Sequence, residues 1–88
     1  MKVLTNDDFS KLFLKHGFDK TEINNNLGYQ KNGVFYKISY IKDMNGYMIE
    51  TADSKQDAIN NLYEDSEFIK NNKEDIVKLE IEKFLKNN

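Results

Sequence analysis

Apolar and polar positions alternate with a period of two over residues 27–52, LGYQKNGVFYKISYIKDMNGYMIETA. On either side of this stretch the period becomes helical. Two Asn-Gly steps, Asn32-Gly33 and Asn45-Gly46, interrupt the alternation. Asn-Gly suits a type I′ hairpin turn, which requires positive φ at both central residues. The pattern therefore predicts a three-stranded antiparallel meander. With two-residue loops, Tyr29 faces Tyr36, Leu27 faces Ile38, Tyr40 faces Thr51 and Met44 faces Tyr47. Side chains alternate across a strand. One sheet face then collects Leu27, Tyr29, Val34, Tyr36, Ile38, Tyr40, Met44, Tyr47 and Ile49. The other collects Gln30, Phe35, Lys37, Ser39, Ile41, Asp43, Met48, Glu50 and Ala52, and is expected to stay open to solvent or a partner. Both turns place the same face inward, and a one-residue slip would mix the two.

Upstream, Thr5 is placed to cap a helix over about residues 6–16, with Asp7 and Asp8 at the positive end of its dipole. Leu4 and Phe9 occupy the positions of a hydrophobic staple. Gly17 supplies the left-handed residue that ends the helix. Thr21-Glu22-Ile23 reads as a short strand or a turn, and Asn24-Asn25-Asn26 as loop. Downstream, Asp53 with Gln56 opens a second helix, Ser54 with Asp57 being the alternative register. This helix extends to about Glu64, or as far as Ile69. Asn71-Asn72 breaks the chain, with Asn72 as cap of a third helix over about 73–86. The apolar residues of that helix, Ile76, Val77, Leu79, Ile81, Phe84 and Leu85, spread around much of its circumference. It is either wedged between elements or awaiting a partner, and simple packing is favoured. The expected fold is α+β, in the order α-β-β-β-α-α, with the helices on the apolar sheet face.

Length and composition then narrow the function. Eighty-eight residues make one domain spanning 1–88, able to bury one modest core. There is no cysteine, hence no disulfide and no thiolate metal site, which fits a reducing cytoplasm. The first ten residues, MKVLTNDDFS, lack the apolar run of a signal peptide, and no apolar run is long enough to span a membrane. All thirteen basic residues are lysine. Arginine is the favoured residue for bidentate phosphate and guanine contacts. Its absence, with acids outnumbering bases, disfavours direct nucleic-acid binding.

Catalytic constellations lack parts. His16 is the only histidine, at the end of the first helix, where capping or half-burial accounts for it. The carboxylate pairs Asp7/Asp8, Asp53/Asp57 and Glu64/Asp65 read as caps and solvated faces. General acid–base work instead needs two carboxylates in different environments. Asp43-Met44-Asn45-Gly46 lacks the further ligands of a calcium loop. No cofactor and no metal is expected, and no enzyme.

Charge placement is more informative. Between Glu50 and Glu67 there are six acids, Glu50, Asp53, Asp57, Glu64, Asp65 and Glu67, against the single base Lys55, a local net of −5. Residues 1–49 carry seven lysines against five acids, a net of +2. A local excess of this kind is either a solvated flank or a docking surface for a basic protein, where complementary charge speeds association and selects partners.

The segment VFYKISYI…YMIETADSKQDAINNLYEDSEF, about residues 33–68, resembles small immunity proteins of bacterial polymorphic-toxin systems. The likeness lies in a strand ending Glu50-x-Ala52, followed by a helix carrying Ala58, Asn61 and the Glu64-Asp65 pair. Such proteins neutralise a toxin encoded beside them by direct binding. The resemblance implies a non-enzymatic cytoplasmic inhibitor whose partner is a basic toxin or nuclease. Glu50, Asp53, Asp57, Glu64, Asp65 and Glu67 would make the contact. The alternative is a phage-encoded inhibitor of a nuclease defence system, its acids standing in for nucleic-acid phosphates.

Overall fold

In the computed structural model, which describes residues 3–87, the chain starts as its sequence predicts. Helix α1 covers Asn6–Lys15. The Thr5 hydroxyl accepts the Asp8 N–H at 3.2 Å, and the Asp8 carboxylate accepts the Thr5 N–H at 2.8 Å, closing a capping box. Leu4 and Phe9 are both buried, as a staple requires. Gly17, at φ +84°, ends the helix.

Five strands follow, two more than the alternation predicted: β1 (Asp19–Ile23), β2 (Asn26–Lys31), β3 (Val34–Ile41), β4 (Gly46–Ala52) and β5 (Asp65–Lys70). They form one antiparallel sheet in the order β1-β2-β3-β4-β5. A single 3-10 turn, Lys42–Met44, joins β3 to β4. A short helix α2 (Lys55–Ile59) lies between β4 and β5, and α3 (Glu74–Lys86) closes the chain. The α+β class holds, while the three-stranded meander and the α-β-β-β-α-α order do not.

Each departure has a local cause. Asn24 and Asn25 are not open loop. Both adopt positive φ, 52° and 67°, and turn β1 directly into β2 with Ile23 opposite Asn26. Asn32 and Gly33 behave likewise, at 53° and 80°, and Tyr29 pairs with Tyr36 as expected. That ladder stops at Tyr29, and Leu27 pairs instead with Glu22 and lies exposed. Asn45-Gly46 is not a type I′ turn. Only Asn45 is left-handed, at the end of the 3-10 turn, and Gly46 already belongs to β4. Tyr40 therefore faces Tyr47, and Tyr36 rather than Tyr40 faces Thr51. The displacement from the expected register is an even number of residues, so the face assignment survives it. Met44 alone among the β3–β4 apolar set falls outside, exposed in the 3-10 turn.

The inner face of the sheet packs under α1 and α3. Tyr29, Tyr36, Tyr47, Ile49 and Ile69 from the strands meet Phe9, Leu12 and Phe13 of α1 and Val77, Ile81 and Leu85 of α3. Phe13 stacks on Tyr29 with ring centroids 4.1 Å apart, and Phe18 meets Tyr36 edge-on at 4.8 Å. The Tyr47 hydroxyl accepts the Leu4 N–H at 3.0 Å and donates to Asn71 Oδ1 at 3.4 Å. Helix α2 is not in this layer. It lies on the opposite face, where Ala58 packs with Ile23, Phe35 and Ala52. The outer face is thus half covered rather than open. Lys73 occupies the α3 cap position without a side-chain bond, so Asn72 does not cap this helix, although its Oδ1 accepts the Lys73 N–H.

Gly46 is required by close approach. A methyl group there would meet the Phe68 ring and come within 2.8 Å of the Ile69 carbonyl oxygen. We expect Gly46→Ala to cost about 1–3 kcal/mol in urea unfolding, since backbone cannot yield as a side chain can. Tyr47→Phe should cost about 1–3 kcal/mol by the same measurement, because it leaves the buried Leu4 N–H without an acceptor.

Candidate functional site

The acidic residues enter through β4, α2 and β5, which the fold splits between two faces. Strand alternation puts Glu50 on the outer face, with its β3 partner Lys37 and its β5 partner Ser66. Glu50 is half-buried, and its carboxylate lies 3.6 Å from the Lys37 ammonium. The same ammonium lies over the Tyr63 ring, 4.2 Å from its centroid, and donates to Asn61 Oδ1 at 3.3 Å. Burial raises the Tyr63 phenol above its ordinary value, and the Glu50 charge adds to that. Together these groups line a polar cleft of about 380 Å³ between the β1–β2 turn, β3 and α2. Asn24 fixes its rim by donating from Nδ2 to the Ile59 carbonyl at 2.8 Å. Glu50 is therefore a paired residue of a cleft wall rather than a free charge beside the helix start.

Asp53, Asp57 and Glu64 come together at the α2 N-terminus. Ser54, not Asp53, caps the helix, its hydroxyl accepting the Asp57 N–H at 3.1 Å. Of the two registers the sequence allows, the second is adopted. Asn61, at φ 58°, then ends α2 after little more than one turn. The chain doubles back, so Glu64 Oε2 accepts the Asp53 N–H at 3.1 Å. The Glu64 carboxyl is held above its ordinary value, chiefly by a side-chain hydrogen bond shared with Asp57, with the Asp57 charge adding to the rise and the Asp53 N–H opposing it. The reverse occurs across the molecule. The Lys15 ammonium, hydrogen-bonded to Glu82, keeps that carboxyl below its ordinary value, and His16 Nε2 lies 3.5 Å from it. Lys15 thus links α1 to α3.

Asp65 and Glu67 are separated from this group. They lie in β5 opposite Thr51 and Ile49, on the face that carries Ile69 and α3. There Glu67 borders Glu80, Lys83 and Phe84 of α3. All six predicted acids belong to one stretch of chain, but only Asp53, Asp57 and Glu64 converge. Lys37, Asn24, Asn61 and Tyr63 were not expected as cleft residues, because α2 was expected to continue past Asn61 and Tyr63 and Asn24 was read as loop. The pair Asn60-Asn61, so like the breaks at Asn24-Asn25 and Asn71-Asn72, was the available signal. Among the described residues no group of three or more His, Asp or Glu side chains is arranged to hold a metal ion. Among the described residues no helix is long and apolar enough to cross a membrane.

No protein-family model, curated protein or solved structure matches the chain.

Because Glu64 holds its proton more tightly in the fold than in the unfolded chain, its ionisation destabilises the fold as pH rises through the raised value. Glu64→Gln keeps an acceptor for the Asp53 N–H and carries no charge. Thermal melts followed by circular dichroism should show the variant melting above the wild type at about pH 7. The gap should close on acidification toward about pH 4, near the ordinary glutamate value.

Proposed function

We propose that this chain is a non-enzymatic, cytoplasmic inhibitor of the immunity type, which neutralises a basic protein by binding it through the β4–α2–β5 unit. One observation carries the reading. Of the six acids behind the net −5 of residues 50–67, four, Asp53, Glu64, Asp65 and Glu67, are open to solvent. A solvated helix flank would carry such charge on a stable helix. Here α2 is a single turn, and the acids line its two connections and the strand beyond. Such a surface attracts a basic partner over a distance set by ionic strength and speeds its encounter. The resemblance to immunity proteins over about residues 33–68 points the same way. Glu50 takes part less directly than its neighbours, because Lys37 already neutralises it.

The test is affinity against salt. With the product of a neighbouring toxin or nuclease gene as partner, the wild type should bind more weakly as salt rises. The double variant Glu64→Lys/Asp65→Lys should lose about tenfold to a hundredfold in affinity at low salt, mostly in the association rate. Equal affinities with a flat salt response would exclude the acidic surface as the contact.

A further inference from the structure

Strand β5 is an edge strand, and its backbone phase can be read from one bond. The Asn71 N–H donates to the Asn45 carbonyl at 2.9 Å, so Asn45 and Asn71 are a hydrogen-bonded pair just beyond the β4–β5 ladder. Antiparallel pairs alternate between bonded and non-bonded. Ile69 and Glu67 are therefore tied inward to Tyr47 and Ile49. The N–H and C=O groups of Ser66, Phe68 and Lys70 point away from the sheet, spaced by about 7 Å. Native edges are usually covered, kinked or blocked. This one is flanked instead by α3, which leaves two adjoining hollows of about 300 and 270 Å³ along it. Ile76 of α3 borders the edge and is 41% exposed, and Phe68 is 38% exposed.

The two sides of the edge differ in chemistry. On the α3 side stand Asp65, Glu67 and Glu80, with Lys83 drawn to Glu80 at 3.7 Å. On the outer side Phe68 lies over Gly46 beside its pair partner Met48. The other edge, β1, has α1 packed beside it, and its hollow, lined by Lys20, Thr21, Glu22, Asn25 and Leu27, does not reach that helix.

Building on the inhibitor reading, we infer that β5 receives an extended segment of the basic partner as a sixth strand of the sheet. Main-chain bonds to Ser66, Phe68 and Lys70 supply the attachment, and alternate side chains supply the selectivity. Residues of the added strand that face α3 meet Asp65, Glu67 and Glu80 and are lysine or arginine. Those on the outer side meet Phe68 and Met48 and are apolar. The partner segment is therefore an alternating basic–apolar strand. Two of the acids in the predicted contact, Asp65 and Glu67, acquire their role through this edge.

The experiment uses isotope-labelled full-length protein and the capped peptide Lys-Val-Lys-Val-Lys-Val, with a Glu-Val repeat as control. Binding of the lysine peptide alone should slow amide exchange at Ser66, Phe68 and Lys70 by about tenfold or more. Lys70→Pro removes an outward N–H, breaks no bond to β4 and makes the surface more acidic. It should abolish binding, whereas Lys70→Ala should preserve or strengthen it. Ser66→Pro repeats the test at a second outward position should Lys70→Pro not fold. Retained binding by a folded proline variant overturns the inference. So does a response confined to Asp53, Asp57 and Glu64, which leaves the acidic surface standing without the edge. No response anywhere removes both. Protection of the three amides before peptide is added, with a doubled mass in sedimentation, assigns the edge to a second copy and also overturns it.

Discussion

A small polar network at the margin of the apolar core, exposed at Asn45 and buried at Asn71 and Tyr47, holds the architecture in register. Asn45 and Asn71 lie side by side. The Asn45 carbonyl accepts the Asn71 N–H, and Asn45 Oδ1 accepts from the Tyr40 hydroxyl at 2.7 Å and from Asn71 Nδ2 at 3.3 Å. Asn71 Oδ1 accepts in turn from the Tyr47 hydroxyl and from the Asn72 N–H. Tyr47 reaches on to the Leu4 N–H. The β3–β4 connection, the β5–α3 connection and the start of α1 are thereby joined through one chain of hydrogen bonds, buried from Asn71 through Tyr47 to Leu4. An unpaired polar group in such a place costs about 1–3 kcal/mol, so each partner constrains the others. The location of β5, and with it the geometry of the candidate contact surface, follows from this network.

Asparagine does more here than fill turns. Among the described residues, every non-glycine residue at positive φ is an asparagine: Asn24, Asn25, Asn32, Asn45 and Asn61. Its short amide tolerates the left-handed region better than other side chains. Each of the five ends or reverses an element. Two of them, Asn24 and Asn61, also line the polar cleft beside Glu50. The positions that turn the chain therefore also shape its outer surface.

The acids illustrate how little a linear charge count says about a surface. Glu50 is paired with Lys37, and Asp53, Asp57 and Glu64 crowd together strongly enough to raise one carboxyl. Asp65 and Glu67 face the other side of the sheet. Period-two alternation made this split legible in principle, but only for a reader who knew that 65–70 is a strand.

The sequence by itself determined the elements whose ends are written in local chemistry. Thr5, Asp8 and Gly17 delimit α1, Asn32-Gly33 turns β2 into β3, and the alternation of Tyr29, Tyr36, Tyr47 and Ile49 selects the inner face. At the helix ends and the turn, neighbours within four residues satisfy the backbone, and on the strands the period alone sorts the side chains, whatever comes to cover them. Tertiary structure decided the rest. EDSEFIK has no strong local preference, and it becomes β5 because β4 offers a ladder and Ile69 a place in the core. Helix α2 is cut short because Glu64 returns to the Asp53 N–H and Asn61 takes up the turn. The second Asn-Gly step yields to the Asn45–Asn71 pairing, which uses the asparagine as an acceptor and the glycine as a seat for Phe68. A free strand edge beside α3 is a property of the assembled sheet. It exists only once four other strands have been placed, so no local pattern could announce it.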